Sequence, residues 1–190
     1  MDFGSVVVNT ANPRNDAASY LRGATIPVAS HARFFAKPIW KVVKVGLCEN
    51  PKAYRRALNA KKMIVSWSNN ILDKITCSQK AINLELDLLS VGELGFKGAA
   101  SYADICSRAN DIGRELCPAE VGPALRYQYD NQPRGERVLI AMTPIIVRDA
   151  DGYIFHVGHD ACSLCLGANL GRPGTVWSPD YRFVFVHRRT

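Results

Sequence analysis

The sequence predicts an α+β protein: a mainly antiparallel sheet with one or two packed helices, preceded by a basic helical N-terminal part. Leu84, Leu86 and Leu88 alternate with polar residues, the period-two pattern of a half-buried strand. Ser101, followed three residues later by Asp104, is typical of a helix start. After that helix, short apolar runs alternate with turn residues, which indicates strands joined by tight connections.

We expect three regions along the chain. Residues 1–34 mix small, polar and apolar types without a sustained period and are interpreted as a loosely ordered arm. Residues 35–80 are interpreted as a basic helical segment, and residues 81–190 as the antiparallel α+β domain. A chain of 190 residues can bury a sizeable core without disulfide or metal support.

The basic segment contains three predicted elements. Trp40 to Val45 forms a short amphipathic stretch after an extended Lys37-Pro38 entry. Pro51–Ala60 predicts a helix with Tyr54 and Leu58 inward, and near-helical apolar spacing predicts another helix over Ile64–Ile75.

The later part of the chain predicts two helices and several strands. The helix that starts at Ser101 ends at Gly113, and Pro118 stands where a first-turn proline is favoured in a second, short helix. Pro144 cannot donate to a sheet hydrogen bond and predicts a break or an edge in its strand. The strand candidates are Leu125–Tyr129, Arg137–Val147, Tyr153–His159, Leu164–Leu170 and Tyr181–His187.

Charge is unevenly distributed. Residues 1–75 contain 12 Lys and Arg against 4 Asp and Glu, and residues 76–190 contain 12 against 13. Clustered positive charge favours phosphate backbones or other polyanions, because neutralising them releases counterions, although such clusters also occur as plain solvated surfaces. The predicted nucleic-acid-binding residues are Lys52, Arg55, Arg56, Lys61 and Lys62.

The segment LGF-x-GAASYADIC-x-RA, followed by LCPAEVGPALR, IAMTPI and FVFV, resembles a family of small uncharacterised bacterial proteins. The resemblance covers roughly residues 35–188 and is most specific in LCPAEVGPALR. It implies a bacterial, cytoplasmic protein and carries no activity, cofactor or catalytic residue with it.

Cys117 is the candidate catalytic residue. It precedes Pro118 at the expected start of a helix, where the helix dipole can lower a thiol pKa and make the cysteine a nucleophile. Nothing in the sequence places a histidine beside it, and packing as a small hydrophobe is the alternative.

Four residues, His156, His159, Cys162 and Cys165, are of the types that bind zinc. All four fall within ten residues, whereas zinc sites usually join two ligand pairs across a longer loop. On a strand, His156 and His159 would point to opposite faces. No bound zinc and no cofactor are therefore predicted.

The order helix, short turn, helix and hairpin is also that of a winged helix-turn-helix. Gly122-Pro123 interrupts the would-be recognition helix, and Glu120 would face phosphate unfavourably. Base-specific DNA reading is therefore the weaker nucleic-acid hypothesis.

The composition favours an unexported protein with reduced thiols. No apolar run reaches the ~20 residues of a membrane span, and polar residues interrupt the first thirty positions where a signal peptide would need an apolar core. The function predicted is therefore a non-enzymatic binding protein whose basic half contacts nucleic acid or another polyanion. A protein–protein interaction module and a cysteine-dependent enzyme centred on Cys117 are the alternatives, and no membrane partner is expected.

Overall fold

The structure is a computed structural model that describes residues 38–65, 69–147, 151–160 and 163–188. Every described residue belongs to one compact unit, Ala36–Thr190. The predicted arm at 1–34 therefore lies outside the described residues.

Eleven strands and four helices make up the described part of this unit. The strands are β1 (Lys41–Val45), β2 (Ile64–Val65), β3 (Ile82–Ser90), β4 (Ala100–Ser101), β5 (Arg114–Glu115), β6 (Arg137–Ile140), β7 (Ile145–Ile146), β8 (Gly152–His159), β9 (Leu164–Leu170), β10 (Val176–Trp177) and β11 (Arg182–His187). The helices are α1 (Pro51–Ala60), α2 (Asn69–Leu72), α3 (Tyr102–Asp111) and α4 (Val121–Gln128).

The main sheet is mixed, with strand order β1-β3-β11-β6-β8-β9-β2. β11 runs parallel to β6, and β2 runs parallel to β9, whereas the other pairs along this path are antiparallel. β5 pairs with β11 and β7 with β8 beside this path, and β4 and β10 form a separate two-stranded sheet.

The predicted fold class is therefore wrong in two respects. The sheet is mixed and dominates the structure, instead of being a mainly antiparallel sheet that shares the fold with helices. The segment 35–80 is not a basic helical part, since β1 and β2 form the two ends of the main sheet. The short β2 owes its strand conformation to pairing with β9, about a hundred residues later, which local periodicity does not reveal.

Local signals explain the helices that the sequence predicts correctly. α1 has the predicted bounds: the Asn50 side chain accepts from the Ala53 N–H, and Pro51 occupies the first turn. α3 begins after Ser101, whose hydroxyl accepts from the Asp104 N–H at 3.2 Å.

Two other predicted elements are wrong. The helix over Ile64–Ile75 is replaced by β2 and the single turn α2, and the strand at Leu125–Tyr129 is replaced by the second half of α4. α4 packs against α1, β1, β8 and β9. Because β1 and β9 lie near opposite ends of the strand order, the sheet curls around this helix.

α4 is consequently the central helix of the core. Its residues from Val121 to Arg126 are all buried. The glycine at 122 is required by close packing, because a Cβ there would lie 2.6 Å from the Phe155 ring of β8. This burial also removes the winged helix-turn-helix hypothesis, since a recognition helix must be open to the major groove.

Candidate functional site

The basic residues predicted to bind nucleic acid are on or just beyond α1. Tyr54 and Leu58 are buried and hold the helix on the core, which leaves Lys52 and Arg56 exposed one turn apart. Pro51–Ala60 contains no acidic residue. In the part of the chain that the structure describes, neither Lys52 nor Arg56 forms an ion pair.

Two of the five predicted residues are already engaged in ion pairs. Arg55 Nη2 lies 2.7 Å from Asp73 Oδ1, and Lys61 Nζ lies 2.8 Å from Asp130 Oδ2. A phosphate would have to compete with these carboxylates, so both residues contribute less net positive charge than the sequence alone suggests.

Lys62 is exposed and follows the helix in a left-handed conformation, with φ at 57°. The Lys62 N–H bonds to Asn59 O, and the Met63 N–H bonds to Leu58 O at 3.0 Å. These two bonds form the Schellman ending of a helix, whose left-handed position is usually a glycine. The chain has a lysine there instead, which adds a charge to the end of α1.

Cys117 is buried, and its thiol donates to Val184 O at 3.4 Å. Burial raises the pKa of this thiol well above its ordinary value. The helix begins at Val121, four residues after the cysteine, so Cys117 is not at the helix N-cap. The dipole argument for a nucleophilic Cys117 therefore does not hold, and the thiol packs as a small hydrophobe.

The candidate zinc ligands on β8 and β9 do not all lie on the same face of the sheet. His156 pairs with Gly167 and Gly158 pairs with Cys165, so His156 and Cys165 share a face of the sheet, whereas His159 is on the other face. His159 Nδ1 lies 2.6 Å from Gln132 O. Cys162 lies outside the described residues. Within the described ranges, no three His, Cys, Asp or Glu side chains come together in a way that could hold a metal ion.

His156 itself is 9% exposed, and its ring lies against the backbone of Gly167, where a Cβ would come within 2.2 Å of it. Burial and the nearby Arg137 charge lower the His156 pKa to about 4. Its Nδ1 has no hydrogen-bond partner in the described part of the protein. The imidazole is therefore neutral at pH 7.

A buried ionic cluster that the sequence did not reveal connects three strands. Asp87 of β3 forms an ion pair with Arg114 Nε of β5, and the same carboxylate oxygen lies 2.8 Å from His187 Nδ1 of β11. Asp87 and Arg114 are buried, whereas the His187 side chain is 21% exposed. Asp87 alternates with the leucines of β3, a position that predicts a solvent-facing residue. The sheet is instead covered on both faces here.

A shallow cleft of about 270 Å³ lies where β6 and β11 begin, lined by Gly135, Arg137, Asp180, Tyr181 and Arg182. Its arginines already have carboxylate neighbours: Arg137 lies 3.5 Å from Asp160, and Arg182 lies 3.2 Å from Glu136. Because Asp180 also lines the cleft, positive and negative side chains are mixed there and do not favour a ligand of either charge.

Comparison with protein-family models, curated proteins and solved structures found no match. Among the described residues, no helix is both long and apolar enough to cross a bilayer. The basic surface at α1 is therefore characterised by the geometry of its own residues alone.

Proposed function

We propose that the protein binds nucleic acid through its phosphate backbone, without strong sequence preference, using the exposed surface of α1 and the residues just after it. The observation that carries this proposal is the pair Lys52 and Arg56. They are exposed, one turn apart, on a helix without acidic residues, and unpaired in the part of the chain that the structure describes.

Counterion release from the phosphates favours such binding. An exposed cation without a carboxylate partner can take a phosphate without first losing an ion pair, whereas Arg55 and Lys61 must exchange Asp73 and Asp130 for it. Lys52, Arg56 and Lys62 therefore supply most of the affinity, and Arg55 and Lys61 supply less.

Sequence preference is expected to be weak. Specific reading needs side chains that enter a groove and reach base edges, and α4, the helix suggested for that role, is buried. Lysine and arginine side chains on an exposed helix surface reach phosphates, which are the same in every sequence.

The test is the salt dependence of binding to labelled DNA and RNA. Wild-type protein should bind at low salt and weaken as salt rises. Substituting Lys52→Gln together with Arg56→Gln should reduce the slope of log Kd against log salt by about 1.4 to 1.8, since each lost phosphate contact contributes roughly 0.7 to 0.9.

The matched control is Lys97→Gln with Arg134→Gln, which removes the same charge from exposed positions elsewhere. If the control lowers binding equally, net charge and not α1 is responsible. Undetectable binding at low salt, or binding that salt does not weaken, contradicts the proposal. Capture of a partner that persists after nuclease treatment and at high salt would instead favour a protein partner.

A further inference from the structure

One short stretch of the chain contacts lysines from two much earlier segments of the sequence. Tyr127, Gln128 and Tyr129 are consecutive at the end of α4. Lys61 contacts the first, Lys44 the second and Lys41 the third. The surface formed by Trp40, Lys41, Lys61 and Tyr127 is called the aromatic–basic shelf below.

The contacts that build the shelf are specific. Lys61 Nζ donates to Tyr127 O at 2.8 Å and lies 4.3 Å from the centre of the Tyr127 ring. Gln128 holds Lys44 by two hydrogen bonds, accepting from its N–H at 3.0 Å and donating to its carbonyl at 2.9 Å. These bonds fix the edge strand β1 to the end of α4. The exposed Lys44 side chain, three residues from Lys41 on the strand, points to the opposite face of the sheet.

The third contact adds a tryptophan. Lys41 Nζ lies 3.8 Å from the centre of the Tyr129 ring and 5.3 Å from that of Trp40. Trp40 packs edge-on against Tyr129 with ring centres 5.5 Å apart. Tyr129 is buried, whereas Trp40 and Tyr127 are only partly buried, so both present ring surface next to lysines.

We infer that the nucleic acid bound by this protein is single-stranded, and that its bases stack on Trp40 and Tyr127 while its phosphates meet Lys41 and also Lys61, which exchanges Asp130 for a phosphate. This inference rests on the proposed function and extends it. Exposed aromatic rings beside cations are the combination with which proteins hold unpaired bases, because stacking accepts any base but requires one that is not already stacked in a duplex.

Duplex DNA does not use such a surface well. Its bases are stacked on one another, so their faces are not available to the rings, and a duplex would contact the lysines and leave the rings unused. The shelf is joined to the surface of α1, since Lys61 and Lys62 directly follow the helix. Single strands can therefore use both sets of contacts, and duplexes chiefly the cations.

The experiment compares a labelled single strand of about 12 nucleotides with a duplex of the same length by fluorescence anisotropy at low salt. We expect the wild-type protein to bind the single strand about tenfold more tightly. Trp40→Leu should weaken single-strand binding about tenfold and leave duplex binding within about twofold, since stacking on one ring has that size.

Tyr127→Leu provides a second variant that does not disturb the contact between Trp40 and Tyr129, and Trp40→Phe should restore part of the single-strand affinity. Circular dichroism checks that each variant is folded. Equal wild-type affinity for single strand and duplex, or an equal loss for both in the aromatic variants, overturns the inference and leaves the proposed function standing. Absence of binding to either nucleic acid overturns both.

Discussion

The Tyr54 hydroxyl of α1 donates a 2.6 Å hydrogen bond to the Glu120 carboxylate, 66 residues later in the chain. The same carboxylate accepts from the Gly46 N–H at 2.8 Å and from the Ser78 N–H at 2.7 Å. Glu120 is only 2% exposed. A buried carboxylate with three donors thus connects the end of β1, the helix α1 and the approach to β3 to the start of α4.

Substituting Glu120→Gln should lower the free energy of unfolding by about 2 kcal/mol. The amide is isosteric, but its NH₂ group would face a backbone N–H, and hydrogen bonds to a charged acceptor are stronger than those to a neutral one. Tyr54→Phe removes only one of the three donors and should cost about 1 kcal/mol. Urea unfolding measures both losses of stability. A Glu120→Gln protein as stable as wild type would show that the three hydrogen bonds to the charged carboxylate do not stabilise the fold.

The buried cluster of Asp87, Arg114 and His187 predicts a larger effect. Asp87→Asn should cost about 3 to 5 kcal/mol, because it leaves the Arg114 guanidinium in the interior without its anionic partner. His187→Gln removes the partly exposed member and should cost about 1 kcal/mol or less.

A double substitution, Asp87→Leu with Arg114→Met, separates charge from packing. It removes both buried charges at similar volume and should be much less destabilising than Asp87→Asn alone. Thermal and urea unfolding measure the three variants. If Asp87→Asn and the double variant cost the same, the cluster does not act as a buried ion pair.

These two polar clusters show where sequence reasoning fails. Pro51–Ala60 was predictable because its capping residue, first-turn proline and apolar spacing are all local, and β9 was predictable from its own residues. Asp87 and His187 are 100 residues apart, and no local pattern reveals that they meet. Glu120 likewise looks like a surface residue until the three donors that surround it are known.

Part of the basic surface could be predicted from the sequence, because its residues are close together in the chain. The lysines and arginines of 52–62 are a local feature, but the ion pairs of Arg55 with Asp73 and of Lys61 with Asp130 are not. The shelf could not be predicted, since the contacts of Trp40 with Tyr129 and of Lys61 with Tyr127 join residues that are far apart in the sequence.

His156 predicts a pH dependence of stability. Its pKa in the folded protein is about 4, below the value of 6.5 for an unperturbed histidine, because burial disfavours the charged imidazole. The unfolded chain therefore binds a proton first as pH falls. The contribution to stability is fully present above about pH 6.5 and is lost progressively between pH 6.5 and 4, by roughly 3 kcal/mol in total.

The control for this prediction is His156→Gln, which cannot titrate. The difference in unfolding free energy between wild type and variant should shrink as pH falls from 7 to 4, while contributions from carboxylates cancel in the comparison. A difference independent of pH over this range would show that His156 titrates normally and is not held neutral by burial.

Thiol reactivity separates the binding hypothesis from the enzyme hypothesis. Burial raises the pKa of Cys117, and it raises that of Cys77 to about 11, with the Glu120 charge adding to the effect at Cys77. Iodoacetamide at pH 7.5 should therefore label the partly exposed Cys48 before Cys77, and Cys117 last. Rapid labelling of Cys117, located by peptide mass spectrometry, would restore the catalytic cysteine hypothesis.

Substitutions of Lys62 distinguish effects on stability from effects on binding, because its strained conformation lowers stability whereas its charge favours nucleic-acid binding. A side chain with φ at 57° is strained, so Lys62→Gly should raise the free energy of unfolding by about 0.5 to 1 kcal/mol at this helix ending. The same substitution removes a cation from the proposed surface and should weaken nucleic-acid binding at low salt.

Lys62→Gln is the matched variant: it keeps a strained side chain, so its stability should stay near wild type, but its binding should fall as far as that of Lys62→Gly. Urea unfolding and fluorescence anisotropy measure the two properties. If Lys62→Gly becomes more stable and binds as tightly as wild type, Lys62 does not belong to the binding surface.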